Sequence, residues 1–180
     1  MAELISGVVE LEKTYLAKYI PSGLEGCRSK EIIDIYLPGS STHPSLRLRK
    51  DGSKYEMTKK ELANEGDASH MIEQTIVLTE TEFNELAKLD GKKVHKIRYL
   101  YPCNGRTAEI DVFQGALEGL VVVDFEFDAV EDKDSFNMPD FCMADVTQDV
   151  FIAGGMLCGK KYEDIEDDLA RFGYKKLSVN

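Results

Sequence analysis

Between residues 108 and 127, two stretches of the chain alternate acidic and apolar residues with a period of two. The acidic positions are Glu109 and Asp111 in the first stretch and Asp124 and Glu126 in the second. Because successive side chains of a strand point to opposite faces, each stretch predicts a β-strand with one carboxylate face and one apolar face. Carboxylates crowded on one face repel one another, so this face must contact water or a cation.

Three further stretches carry like charges at alternate positions. These charged residues are Glu10 and Glu12, Arg47 and Arg49, and Lys96 and Arg98. Exposure of the charged face to solvent would be the simpler explanation for any single strand. Five such strands, with charges of both signs, instead favour a closed sheet whose interior is charged and whose apolar outer surface is covered by helices.

Turn and capping signals divide the rest of the chain. Strands are predicted at residues 8–15, 31–37, 45–49, 54–60, 71–78, 93–100, 107–113 and 120–127, with loops over 18–30 and 136–142, a mobile connection over 61–69 and a helical or turn-rich segment over 145–158. Asp51-Gly52 and Asn104-Gly105 are hairpin turn signals. The sequence from Thr79 to Glu82 has the form of a capping box and predicts a helix, and residues 162–172 predict a second, acidic amphipathic helix. The expected apolar faces of these helices are Phe83, Leu86 and Leu89 in the first and Ile165, Leu169 and Phe172 in the second.

Composition narrows the class of protein. The 180 residues suit a single domain spanning residues 1–180, and the formal net charge of -11 argues against a general nucleic-acid-binding surface. No signal peptide or membrane-spanning stretch is recognisable, so we expect a cytoplasmic protein. The four cysteines lack paired spacing and the three histidines are scattered, so a zinc site is not expected.

The charged motifs, taken in order, resemble the CYTH family of triphosphate tunnel enzymes. The matching pieces are Glu10-Leu11-Glu12-Lys13-Thr14, Arg47 with Arg49, Thr58 with Lys60, Glu73 before Leu78-Thr79, Lys96 with Arg98-Tyr99, Asp111-Val112-Phe113, Asp124-Phe125-Glu126-Phe127, and Asp145-Val146-Thr147. The resemblance runs through nearly the whole chain. It implies an α+β fold with an eight-stranded antiparallel closed β-tunnel that binds a triphosphate and one or two divalent cations.

The resemblance and the chemistry of the side chains assign roles to the charged residues. Carboxylates are hard oxygen ligands that suit Mg²⁺ or Mn²⁺, whereas arginine and lysine bind phosphoryl oxygens. The expected metal ligands are Glu10, Glu12, Asp124 and Glu126, and the expected substrate-binding residues are Arg47, Arg49, Lys60, Lys96 and Arg98. Lys96, with a pKa lowered by neighbouring cations, is a possible general base, and Glu126 is the second catalytic candidate. Further possible site residues are Glu73, Glu109 and Asp111.

Three structural alternatives stay open at this stage. Arg47 and Arg49 could pair with Glu109 and Asp111 in a purely structural lattice of salt bridges. Glu73 fits the protein surface as well as it fits the site. The acids between residues 163 and 168 fit a solvated helix face.

One position departs from the family pattern. Relatives have a lysine where this chain has Thr14, and Lys13 lies one residue out of register. A shift of one residue places a strand side chain on the opposite face, so we expect Lys13 to point outward. Substitution of Asp for Glu at position 124 keeps the carboxylate but shortens its reach.

These observations favour a metal-dependent phosphohydrolase that cleaves a linear triphosphate. Inorganic tripolyphosphate is the leading substrate, and thiamine or nucleoside triphosphates are possible. A class IV-type adenylate cyclase is the alternative with the same fold, and a non-catalytic polyphosphate- or nucleotide-binding module is the alternative without chemistry. The expected partner is a triphosphate-containing small molecule, and the protein is expected to be a monomer or homodimer.

Overall fold

A computed structural model describes residues 7–63 and 66–178 of the chain. In this part of the chain the strands are β1 (Val8–Ala17), β2 (Ser29–Leu37), β3 (Leu46–Asp51), β4 (Lys54–Leu62), β5 (His70–Leu78), β6 (Lys92–Cys103), β7 (Arg106–Phe113), β8 (Val121–Phe127) and β9 (Cys142–Asp145). The α-helices are α1 (Glu80–Leu86), α2 (Val130–Asp134), α3 (Gly154–Leu157) and α4 (Glu166–Ala170). Short 3₁₀ turns occupy Leu24–Gly26, Gly115–Leu117, Val150–Ile152 and Tyr162–Asp164.

Eight of the strands close into an antiparallel barrel. Their order around the barrel is β5-β4-β3-β2-β6-β7-β8-β1, and the pairing of β5 with β1 joins the two ends. Every pairing is antiparallel. The predicted closed eight-stranded tunnel is thus confirmed.

The ninth strand, β9, was not predicted, since the sequence indicated a loop over 136–142 followed by a helical or turn-rich segment. One edge of β1 pairs with β8. On the other edge, β5 covers only Val8 to Leu11, and β9 covers Tyr15 to Ala17. β5 therefore leaves part of this edge of β1 uncovered, and the short strand β9 pairs with the backbone of Tyr15 to Ala17 there.

Most local signals are confirmed at their predicted positions. Both hairpin turns form, and the Thr79 and Glu82 side chains complete the capping box of α1. Leu89 was predicted on the apolar face of this helix, but α1 ends at Leu86 and Leu89 is 55% exposed. The predicted loop over 18–30 is shorter because β2 begins at Ser29. Asn64 and Glu65, within the predicted mobile connection, lie outside the described residues.

The C-terminal segment folds as two short pieces and not as the single predicted helix. A 3₁₀ turn over Tyr162–Asp164 precedes α4. Ile165 and Leu169 are nevertheless buried, and Phe172 packs against the same cluster, as the apolar pattern predicted. The acidic side chains of this segment lie mostly at the surface.

The outer surface of the barrel is apolar and covered over most strands, as predicted for the residues that alternate with the charges, but Val9 and Ile76 are exposed. Leu11, Leu48, Ile110 and Phe125 are buried, whereas Ile97 is only half-buried. Phe83 of α1 packs over one apolar cluster of the outer surface. The loop after α2 covers a second cluster, to which it contributes Phe136 and Phe141.

One end of the barrel is filled by apolar side chains. Leu16, Phe113 and Val122 continue the inward faces of β1, β7 and β8, since they are two residues along the strand from inward-facing polar positions. They are buried together with residues that come from the C-terminal segment. These are Phe151, Ile152, Leu157, Ile165, Leu169 and Tyr174. The charged lumen therefore ends on an apolar floor.

Tyr174 attaches this C-terminal segment to the barrel. Its buried hydroxyl donates to the carbonyl oxygen of Gly119 at 2.9 Å and accepts from the backbone N–H of Val121 at 2.8 Å. Tyr174→Phe removes both hydrogen bonds, so we expect the free energy of unfolding to fall by about 1–3 kcal/mol. Urea denaturation measures this change. Tyr19→Phe, at a residue that is 46% exposed, is the matched control. Equal unfolding midpoints for the two variants would contradict this role of Tyr174.

Candidate active site

The barrel encloses a cavity of about 650 Å³. Every residue that the sequence indicated as a site residue lines it. These residues are Glu10, Glu12, Arg47, Arg49, Lys60, Glu73, Lys96, Arg98, Glu109, Asp111, Asp124 and Glu126. The structure thus brings the twelve side chains together, because they occupy inward positions of seven strands. Glu73, which fitted either site or surface, faces the cavity, where its carboxylate accepts a hydrogen bond from Thr75 at 2.7 Å.

The two signs of charge occupy different walls of the cavity. Arg47 and Arg49 come from β3, Lys60 from β4, and Lys96 and Arg98 from β6, which are close together in the order of strands. The carboxylates that continue around the barrel come from β7, β8, β1 and β5. They are Glu109, Asp111, Asp124, Glu126, Glu10, Glu12 and Glu73. A largely cationic wall therefore faces an acidic wall across one lumen.

Asp111, where the acidic wall meets the cationic wall, is the anchor of the cationic wall because it pairs with both Lys96 and Arg98. Its buried carboxylate accepts from Arg98 Nε at 2.6 Å and Arg98 Nη2 at 2.7 Å, and it also pairs with Lys96. Arg98 donates in addition to Glu109. Burial alone would raise the pKa of Asp111, but Arg98 and Lys96 outweigh it and hold that pKa well below its usual range. Arg98 and Lys96 are thereby fixed in place.

Asp34 is a buried partner of the cations that the sequence reasoning missed. Its carboxylate accepts from Arg49 Nε at 2.7 Å and from Arg49 Nη2 at 2.8 Å, and it is 2% exposed. The structural partner of Arg49 is thus Asp34 and not Glu109 or Asp111. Glu109 and Asp111 do form ion pairs, but with Arg98 and Lys96. The available signal was an acid between Ile33 and Ile35, within the apolar run that ends β2.

The pairing of Asp34 with Arg49 predicts a dependence of stability on pH. Burial would raise the pKa of Asp34, but Arg49, Arg47 and Lys96 outweigh it and lower that pKa to about 2. The unfolded value is about 3.9, so ionised Asp34 contributes roughly 2.5 kcal/mol above pH ~4, and this contribution is lost as the pH falls towards ~2. We expect the difference in unfolding free energy between the wild type and Asp34→Asn to shrink over that range, measured by urea denaturation at several pH values. A difference independent of pH would contradict the assignment.

The acidic wall is crowded with like charges. Glu12 lies directly opposite Glu126 across β1 and β8, and Glu109 lies opposite Asp124 across β7 and β8. Burial raises the pKa of Glu126, and Glu109 and Glu10 raise it further. Burial and the neighbouring Asp111 likewise raise the pKa of Asp124 to about 7. Opposed carboxylates of this kind destabilise a sheet unless a cation lies between them.

Lys60 supplies part of the missing positive charge. Its ammonium lies 2.7 Å from Glu10 Oε2 and 3.3 Å from Glu12 Oε1. Burial would lower the pKa of Lys60, but Glu12 and Glu10 reverse the effect and raise it. Lys60 thus contacts the acidic wall directly, and Glu126 is left without an ion pair among the described residues.

No ready-made metal cage is present within residues 7–63 and 66–178, because no three acidic, histidine or cysteine side chains converge there closely enough. This arrangement still suits Mg²⁺ or Mn²⁺. Mg²⁺ in particular is usually bound through one or two carboxylates, several waters and the oxygens of a phosphate substrate. The opposed, incompletely neutralised carboxylates provide the hard oxygen donors for such a site.

Thr14 and Lys13 lie on opposite faces of β1. Thr14 lines the cavity, and its hydroxyl donates to Asp124 Oδ1 at 2.8 Å. Lys13 is the partner of Phe125 across β8, and Phe125 belongs to the apolar outer surface. Thr14 therefore points into the cavity and Lys13 points outward, as the alternation along this strand predicted. A neutral hydroxyl stands where the resemblance implies a lysine.

The pKa of Lys96 is lowered by its surroundings. The side chain is buried, which lowers the pKa of the ammonium, and the nearby charges of Arg98 and Arg49 lower it further. Asp111 opposes this effect without reversing it. The sequence indicated only the neighbouring cations as the cause of the lowered pKa, whereas burial lowers it more.

In the described part of the chain, no helix combines the length and the apolar character needed to cross a lipid bilayer. No protein-family model matches the sequence. The fold and its charged lumen define a CYTH-like tunnel protein.

Comparison with known proteins agrees with this class. The chain is 31% identical over 144 residues to the inorganic triphosphatase of Nitrosomonas europaea, and the match covers 79% of this chain and 91% of the relative. It therefore belongs to the same family as that protein. A crystal structure of the inorganic triphosphatase NE1496 superposes with a TM-score of 0.60 at 28% identity, covering 83% of this chain and 94% of that one. A second structure, of the hypothetical protein NE1496, gives a TM-score of 0.62 at 28% identity and covers 84% of this chain and 99% of that one.

Proposed function

We propose that this protein is a metal-dependent triphosphatase that hydrolyses a linear triphosphate, with inorganic tripolyphosphate as the leading substrate. The observation that carries the proposal is the cavity in which a cationic wall faces an acidic one. Polyanionic phosphate binds to arginine and lysine, and the acidic wall needs divalent cations that also bind phosphate. The relationship to an inorganic triphosphatase supports the same reaction.

The metal ions are assigned to the acidic wall. Glu10, Glu12, Asp124 and Glu126 are the residues that would hold Mg²⁺ or Mn²⁺. A bound divalent cation neutralises the charge on phosphoryl oxygens and lowers the pKa of a coordinated water. Glu12 and Glu126 are direct partners across the adjacent strands β1 and β8, so a cation held by one or two of these carboxylates would complete its coordination with waters and phosphate oxygens.

The cationic wall binds and orients the substrate. Arg47, Arg49 and Arg98 carry guanidinium groups that are always charged in proteins. Buried ion pairs fix two of these groups, Arg49 with Asp34 and Arg98 with Asp111. Phosphoryl transfer depends mainly on positioning and charge neutralisation, which this wall supplies without new covalent chemistry. Lys96, whose pKa is lowered, and Glu126, whose pKa is raised, are the two candidates for proton transfer.

The test is an assay of products with tripolyphosphate, ATP and thiamine triphosphate, each with Mg²⁺ and with Mn²⁺. Release of orthophosphate that is abolished by EDTA supports the proposal. Cyclic nucleotide together with pyrophosphate from ATP would identify a class IV-type cyclase instead. Binding of tripolyphosphate without turnover would identify a non-catalytic module. Glu61→Gln, at the partly exposed rim of the cavity, is a control for the general effect of removing a carboxylate.

Thr14→Lys is expected to increase activity. The resemblance implies a lysine at this position, which would add one charge-assisted contact with the triphosphate, and such a contact contributes about 1.5–3 kcal/mol. This corresponds to roughly a ten- to hundredfold gain in kcat/KM for tripolyphosphate. Lys13→Ala, on the outer face of the same strand, is the control and should change kcat/KM little. No gain from Thr14→Lys together with loss of activity in Lys13→Ala would show that the assignment of the two residues is reversed.

A further inference from the structure

Tyr36 lies in the cavity beside the cations, although none of the charged motifs includes it. It follows Asp34 by two residues on β2, so both side chains face inward. Across the β2–β3 pairing, Tyr36 is the direct partner of Arg47. Side chains opposite each other in an antiparallel pair have Cβ atoms about 4.5–5.5 Å apart, within reach of a direct contact.

Arg47 needs a positioning group more than its neighbour does. Arg49 donates two hydrogen bonds to the Asp34 carboxylate. Arg47 Nε, in contrast, lies 3.9 Å from Asp34 Oδ1, too far for a hydrogen bond. Within the described residues, Arg47 Nε is the one buried side-chain polar atom without a hydrogen-bond partner. The guanidinium of Arg47 is thus available to an anion in the cavity, but its own acid partner does not fix its orientation.

The Tyr36 hydroxyl is suited to orient this guanidinium. Burial raises the pKa of Tyr36, and Asp34 raises it further, whereas the charges of Arg47 and Arg49 oppose the shift. The hydroxyl therefore stays neutral at physiological pH, and its oxygen carries a lone pair in the field of the two arginines. Replacement by phenylalanine removes that oxygen and leaves the ring in place.

The C-terminal segment packs against Tyr36 through Gly154 and against the neighbouring β2–β3 loop through Gly155, the first two residues of α3. A Cβ on Gly154 would lie 2.9 Å from Tyr36 Cζ and closer still to the hydroxyl oxygen. A Cβ on Gly155 would lie 2.5 Å from the carbonyl oxygen of Pro44 and 2.9 Å from His43 Cδ2. Neither glycine has a left-handed backbone, so the requirement at both positions is for space. The segment is packed against Tyr36 and against the β2–β3 loop as closely as backbone allows.

We propose that Tyr36 is a positioning residue for Arg47 in the binding of the triphosphate, and that Gly154 leaves the space that the Tyr36 hydroxyl needs. The proposal rests on the proposed function, since it assumes that Arg47 contacts the phosphates. It assigns to the C-terminal segment a specific effect on the cationic wall, in addition to its part in the apolar floor.

The first test is the kinetics of Tyr36→Phe with tripolyphosphate and Mg²⁺. Because the change acts on binding through Arg47, we expect KM to rise about tenfold, the equivalent of one hydrogen bond to a charged group, with a smaller change in kcat. Gly154→Ala should raise KM in the same direction by displacing the hydroxyl. Gly26→Ala is the matched control, because its Cβ would meet nothing within 4 Å and its φ is not left-handed.

A double-mutant cycle separates positioning from a merely structural role. If Tyr36 acts through Arg47, Tyr36→Phe has little further effect in an Arg47→Ala background, on KM or on the affinity for tripolyphosphate measured by calorimetry. Additive effects of the two substitutions would overturn the proposal and leave the triphosphatase function standing. A lower unfolding midpoint of Tyr36→Phe with unchanged KM would also overturn it. A wild type that neither binds nor hydrolyses tripolyphosphate would refute the proposed function itself.

Discussion

Glu10→Gln and Glu12→Gln are each expected to reduce metal-dependent hydrolysis by roughly two to three orders of magnitude, the range seen when one electrostatic stabiliser of a transition state is removed. Each glutamine keeps the size of the side chain but removes one of the charged oxygens that bind a divalent cation. The measurement is kcat/KM for tripolyphosphate over a titration of Mg²⁺ or Mn²⁺, in which a shift of the metal dependence to higher concentration identifies the lost ligand.

The fold should survive both substitutions. Lys60 contacts both glutamates, so each single variant leaves it with one partner and creates no unpaired buried ammonium. Removing one charge from the acidic wall also relieves repulsion in the absence of metal, so the unfolding free energy without metal should stay the same or rise. Glu61→Gln is the control, since Glu61 pairs with Lys59 at the rim. Full activity of both variants at limiting metal would show that the metal is bound elsewhere.

Asp111→Asn is expected to have the largest effect on stability. The substitution leaves two buried cations, Lys96 and Arg98, without the carboxylate that they share. Breaking a buried ion pair in this way costs about 3–5 kcal/mol, because the remaining charges lose their partner but stay away from water. Urea denaturation at neutral pH measures the loss, and hydrolysis should fall as well because the two cations lose their fixed positions.

Glu109→Gln is the matched control for this prediction. Glu109 pairs with Arg98 alone, and its side chain is 20% exposed, against 1% for Asp111. We therefore expect Glu109→Gln to cost much less stability. If the two variants prove equally stable, Asp111 is not the anchor of the cationic wall.

Simple alternation was enough to predict which side chains line the cavity. Glu12 and Glu126, or Arg47 and Arg49, can be assigned to one face from sequence alone, because the side-chain period of a strand is two. The same rule placed Thr14 inside and Lys13 outside. Hairpin turns and the capping box of α1 also depend on a few neighbouring residues, so the sequence located them correctly.

Pairing between strands that no hairpin turn joins could not be derived in this way. The partner of Arg49 is Asp34 because β2 pairs with β3 in the barrel, across a loop that gave no register, whereas the pairing of Arg98 with Asp111 follows from the Asn104-Gly105 hairpin. Alternation within a strand states which face a charge occupies but not which neighbouring strand faces it. Alternation therefore placed the cations on the cavity face, and the structural alternative that paired Arg47 and Arg49 with Glu109 and Asp111 is wrong, because both lie beside Asp34.

The C-terminal part of the chain shows the same limit most clearly. Its apolar spacing correctly indicated that Ile165 and Leu169 are buried, since that depends on local periodicity. Only the tertiary structure decided that β9 completes the edge of β1, and that Gly154 lies against Tyr36, more than a hundred residues earlier. Alternation and turn formation depend on a few neighbouring residues, so they can be recognised from the sequence alone. The floor of the cavity and the pairing of its charges depend on contacts between distant segments, which form only when the barrel closes.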